Sequence, residues 1–146
     1  MFETLLRRLS GPTPAPLPDP EAHLAMAALL VRVARADRRY GDAETSCIDD
    51  LLAHHYGLDA EAAAQLRARA ETLETEAPDT VRFTRALKAA VPLEERAWVI
   101  EALWAVVLAD GHRDAEEDAK MRLLANLLGF ADRDSALARQ RVQQRG

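Results

Sequence analysis

ARADRRYGDAETSCIDDLL, residues 34–52, overlays VLADGHRDAEEDAKMRLLA, residues 107–125, at a shift of 73 positions. Asp37 then falls on Asp110, Glu44 on Glu117 and Leu51 on Leu124. Upstream, Glu21 meets Glu94, Leu30 meets Leu103 and Val33 meets Val106; downstream, a one-residue slip brings Gly57 onto Gly129. Repetition at a long fixed period marks a duplicated supersecondary unit, here a helix-turn-helix. Each copy ends an apolar helix on an Asp and sets a Glu seven residues later, in the first turn of the next helix. Two carboxylates therefore face one tight corner in each half of the chain.

The helices on either side of these corners follow from apolar spacing. Asp19 and Pro20 open a helix running to about Ala36, in which Leu24, Met26, Leu29, Leu30, Val31 and Val33 leave little polar face, so burial nearly all round is expected. Its counterpart, Leu93 to about Ala109, carries Trp98, Val99, Ile100, Leu103, Trp104, Val106, Val107 and Leu108 and is the second central helix. Between them lie three more. One runs from about Ala43 to His55 and stops at Gly57, and the next, capped by Asp59, has a thin stripe of Leu66, Ala70 and Leu73 that suits a solvated outer helix. A short one, Thr80 to Ala89, presents Phe83, Ala86 and Leu87. After the second corner, a helix from about Ala115 to Leu128 closes at Gly129, and a last one, Arg133 to about Gln144, has few apolar positions and a fraying end.

At the front of the chain, residues 1–10 form a short amphipathic helix with Phe2, Leu5, Leu6 and Leu9 on one side and Arg7 and Arg8 on the other. Residues 11–19, from GPTPAPLPDP, are a proline-rich, semi-rigid linker, and residues 20–146 are the domain proper. Two readings of the first helix stand. Either the linker uncouples it, leaving it to touch a partner or a membrane surface, or it folds back on its own domain.

Composition agrees with one all-α, single-domain bundle of six or seven helices. The 146 residues are 49% hydrophobic and only 5% aromatic, and Ile48 and Ile100 are the sole isoleucines, too few strand formers for a sizeable sheet. A net charge of −5 argues against a nucleic-acid partner, which requires a basic footprint. The single cysteine, Cys47, allows no intrachain disulfide, and with no apolar segment near the ~20 residues of a spanning helix the expected location is the cytoplasm.

On ARADRRYGDAE, FTRALKAA, EALWAVVLADGHRDAEE and NLLGF, the chain resembles the tellurite-resistance TerB-like family of small bacterial helical proteins over about residues 20–135. The family repeats an Ala-Asp-Gly corner followed by an acidic residue in the next helix. Ala109, Asp110, Gly111 and Glu117 match that pattern fully, while Ala36, Asp37 and Glu44 match in the first copy with Arg38 where the family has Gly. The resemblance implies a seven-helix bundle with internal duplication, association with metal, and an accessory role with a protein partner in the response to tellurite, other metals or oxyanions. The same module is similar to the N-terminal region of a membrane-anchored DnaJ-type co-chaperone, although this chain has no His-Pro-Asp of a J-domain.

Asp37, Glu44, Asp110 and Glu117 are thus the candidate metal ligands, hard oxygens suited to Ca²⁺, Mg²⁺ or Mn²⁺ if the duplication joins the corners. The alternative is helix capping: Asp114 and Glu117 have capping-box spacing, as do Gly41 and Glu44. A loop beginning at Asp110 is no EF-hand, since Ala115 takes the position of the required Gly. His23, His54, His55 and His112 lack zinc-ligand spacing and read as surface or satisfied packing; Cys47, Trp98 and Trp104 read as core. Function therefore lies between a cation-binding accessory module, a purely structural interaction module and, less favoured, a carboxylate-dependent metal enzyme for which no general acid can be named.

Overall fold

The computed structural model describes residues 5–7, 19–36, 40–109 and 115–145, with the side chains of all of these except 19, 90 and 115–117. Seven helices with full bounds occur among the described residues, in the order α1 (Asp19–Ala36), α2 (Asp42–Tyr56), α3 (Ala60–Glu76), α4 (Thr80–Ala90), α5 (Leu93–Leu108), α6 (Ala115–Leu127) and α7 (Asp132–Arg145). Residues 5–7 are also helical, and no strand is found among the described residues. The chain is an all-α bundle.

Side chains that stop and start the chain do so by identifiable bonds. Gly57 ends α2 in the left-handed conformation (φ 64°), and Asp59 then caps α3 by accepting from the Ala62 N–H at 2.7 Å. Asp79 caps α4 in the same way through the Arg82 N–H at 3.0 Å, a signal the apolar spacing alone had not revealed. Pro92 follows the extended Val91 and opens α5.

The two central helices are as the pattern requires. Every residue from Leu24 to Val31 is buried, as are Val99, Ile100, Leu103, Trp104, Val106 and Val107 of α5. Complete burial of each large aliphatic side chain contributes roughly 1.5–3 kcal/mol, so this pair supplies much of the driving force. Burial also follows the repeat: Leu30 and Leu103, Ile48 and Met121, and Leu52 and Ala125 are all buried, and Gly57 and Gly129 both have positive φ.

Three expectations change. The helix read as solvated and outer, α3, is the element most extensively packed on α1, because Ala63 and Ala70 let the backbones approach and are fully buried with Leu73. The last helix does not fray within its described length: α7 packs on α5, buries Ser135 and Ala138, and ties its end to Glu101 through Arg141 (3.1 Å) and Arg145. Finally, Leu5 is only 4% exposed and belongs to the core, with Leu6 packed against it. That burial corrects the idea of an uncoupled N-terminal helix. Phe2, Leu9 and the linker lie outside the described residues.

Candidate functional site

The first corner lies between Ala36 and α2. Glu44, in the first turn of α2, is 5% exposed, and its Oε2 accepts the N–H of Gly41 at 3.1 Å. This is half of a capping box; Gly41 has no side chain to complete the other half. Tyr40, just before Gly41, has its ring beneath the Arg35 guanidinium, with 5.2 Å from Cζ to the ring centroid, and its hydroxyl donates to Glu71 of α3. Burial first, and Glu71 second, push the Tyr40 phenol up to about 12. Glu71 also receives Arg67 at 3.0 Å, and Arg67 reaches Asp49 of α2 at 2.6 Å, a bond that raises its pKa. The exit of the corner is thereby clamped between α1, α2 and α3.

Asp37 and Asp110 lie outside the described residues, as does the side chain of Glu117, whose backbone sits in the first turn of α6. What is described is the frame around them. A cavity of about 280 Å³ opens between the ends of α1 and α5 and the first half of α6, lined by Val33, Ala36, Val107, Lys120, Met121 and Leu124 among others. Ala36 immediately precedes Asp37, Val107 comes three residues before Asp110, and Lys120 three after Glu117. The flanks of both corners thus border one apolar groove. Glu44 is not in its lining, and among the described residues no cluster of three or more His, Cys, Asp or Glu stands in metal-holding array.

Of the remaining candidates, His23 and His55 have structural partners, His54 is exposed, and His112 lies outside the described residues. His55 stacks on Trp98 with centroids 3.9 Å apart and bonds both carboxylate oxygens of Glu95 at 3.1 and 3.2 Å, and His23 stacks on Tyr56 at 3.8 Å. Burial raises the Tyr56 phenol, reinforced by Glu95, to which its hydroxyl donates. These rings join the start of α1, the end of α2 and the start of α5. Cys47 is partly buried, and burial pushes its thiol up to about 11, with Asp50 and Glu44 adding to the effect. A thiol held protonated is a poor nucleophile and metal ligand. Trp104 is buried, while Trp98 is only partly so.

Sequence reasoning missed the arginine frame. Arg32 donates to the carbonyls of Glu74, Ala77 and Pro78, and Arg35 to that of Glu71, so two cations from α1 satisfy the end of α3. The available signal was chemical: two charges on a helix otherwise apolar all round require acceptors nearby.

Among the described residues the fold is an all-helical module whose buried positions recur between its two halves. The chain matches the family described as "Tellurite resistance protein TerB" over residues 23–140, most of its length, and belongs to that family. It has no match among curated proteins or solved structures.

Proposed function

We propose that this protein is a non-catalytic accessory module of the bacterial stress response, toward tellurite or related metal and oxyanion stress, that binds a protein partner in the cytoplasm. It holds a divalent cation, Ca²⁺, Mg²⁺ or Mn²⁺, through Asp37, Glu44, Asp110 and Glu117. The observation that carries the reading is the convergence of both corner flanks on one groove, since Ala36, Val107 and Lys120 border the same cavity. Carboxylates from two loops can share a cation only if the fold brings the loops together. The partner is supported by the contiguous apolar lining of that groove, Val33, Val107, Met121 and Leu124, with the exposed Leu123 on its rim.

A second reading is favoured by the Glu44 bond to the Gly41 N–H: the acidic residues only cap helices, and the module binds its partner without metal. Thermal unfolding separates the two. If a cation is held, calcium, magnesium or manganese raises the melting temperature, because only the folded state binds it, and Asp110→Asn with Glu117→Gln abolishes the rise. Under the capping reading Gln at 117 still caps and cations change nothing. A calorimetric titration without binding in the millimolar range retires the metal.

A further inference from the structure

A second cavity, about 340 Å³, lies between α5, α6 and the first half of α7, and shares no lining residue with the groove between the corners. Its walls include Trp104, Asp118, Arg122, Asp132, Arg133 and Arg139. Arg139 is partly buried, with its Cζ 5.6 Å from the centroid of the Trp104 ring. Trp104 is itself fixed, since its Nε1 donates to the buried Ser135 hydroxyl at 3.1 Å. The Nε of Arg139 is buried without a hydrogen-bond partner, and no hydrogen bond or ion pair engages its guanidinium among the described residues. Arg32, Arg67 and Arg96, by contrast, each donate to backbone carbonyls or carboxylates. A buried donor left without an acceptor carries a desolvation cost, and a bound ion is one of the explanations for such a group in a native structure.

The surrounding charges leave room for an anion. Asp132 is already engaged by Arg122 at 3.7 Å and by the Asn126 amide at 3.0 Å. Arg133 is exposed and, among the described residues, without an ion pair, so three guanidinium groups face two carboxylates.

We propose that this cavity binds a phosphate group, free or carried on a small organic body, with Arg139 as its anchor and Arg133 as a second donor. A phosphate carries more negative charge than a carboxylate and offers at least three oxygens, enough to take a guanidinium fork from each of two arginines. The Arg139 guanidinium lies against the Trp104 ring, and the cavity volume is near the lower end of what small organic ligands occupy, roughly 300 Å³ upward. The site is independent of any cation at the corners.

The test is titration of the full chain with inorganic phosphate, at ionic strength held constant with chloride, followed by ¹⁵N NMR of the arginine Nε–H and indole N–H signals. Saturable shifts of Arg139 and Trp104 are expected, with the apparent Kd raised at least about tenfold by Arg139→Gln and less by Arg133→Gln. Should Arg139→Gln fail to fold, Arg139→Lys keeps the charge and stem but lacks the fork, and weaker binding is again expected. No shift beyond the chloride control, or unchanged affinity in both Arg139 variants, overturns the proposal. Glycerol phosphate binding more tightly than phosphate assigns the site to a phosphorylated small molecule; equal affinities assign it to the free ion.

Discussion

Gly57 and Gly129 both have positive φ, 64° and 97°, yet substitution at the two should differ in cost. A Cβ at Gly57 meets nothing within 4 Å, so Gly57→Ala is expected to lose about 1–2 kcal/mol, the strain of a left-handed alanine. At Gly129 the Cβ would stand 2.8 Å from Arg96 Nη1 and 3.2 Å from Lys88 Cε. Arg96 is fixed there by the carbonyls of Val91 (3.1 Å) and Leu128 (2.6 Å), so Gly129→Ala should lose about 2–4 kcal/mol. Urea denaturation of the two variants checks this, and equal losses would mean that Arg96 gives way freely. Cys47 yields a second expectation. Its thiol is pushed from 9.0 to about 11 in the fold, so the unfolded chain loses its proton first as pH rises. The stability it lends is full below pH 9 and disappears between pH 9 and about 11. Cys47→Ala should flatten that part of the stability profile while leaving the loss due to Tyr40, which falls between its ordinary 10.0 and about 12.

Among the helices, the junction of α1 with α3 is held by Arg32 as well as by the buried face of Ala63, Ala70 and Leu73. Arg32→Met removes the guanidinium from over the Phe83 ring and takes the arginine donors from the carbonyls of Glu74, Ala77 and Pro78, of which Glu74 keeps the Ala77 N–H. The expected loss is about 2–3 kcal/mol, with faster hydrogen exchange confined to the end of α3; uniform acceleration across the bundle would contradict the capping role. This element also shows where sequence reading stops. The circumferences of α1 and α5 were legible because nearly every position is apolar, and the repeat was legible in paired positions such as Leu30 and Leu103 or Ile48 and Met121, all buried. The stripe of Leu66, Ala70 and Leu73 on α3 was legible too, but not how extensively it packs on α1, since Ala63 extends the buried face without a conspicuous side chain. Nor was the hold of Arg141 and Arg145 on Glu101, since bonds between residues 40 or more positions apart leave no local pattern. The corner glutamates were recognisable as a pair, but their spacing serves a cap and a cation equally well, and at Glu44 the described geometry adds the bond to the Gly41 N–H.

At the scale of the whole molecule, Leu5 and Leu6, near the start of the chain, pack into the core of the domain. Leu5→Ala should lower stability by about 2–3 kcal/mol, as core leucines do, and deletion of residues 1–18 should lower the melting temperature at least as much. An unchanged melting temperature would show that Leu5 contributes no more than a surface contact. The two halves are further joined by the stack of His55, from the first repeat, on Trp98, from the second, with planes within 5°. Indole emission is dimmed by an imidazole in such contact. Trp104 has a different neighbour, the Arg139 guanidinium. The protein therefore has two native optical probes with separate meanings: brightening of Trp98 reports the halves parting, and a change in Trp104 reports an event in the arginine-lined cavity, each readable in a single-tryptophan variant without any attached dye.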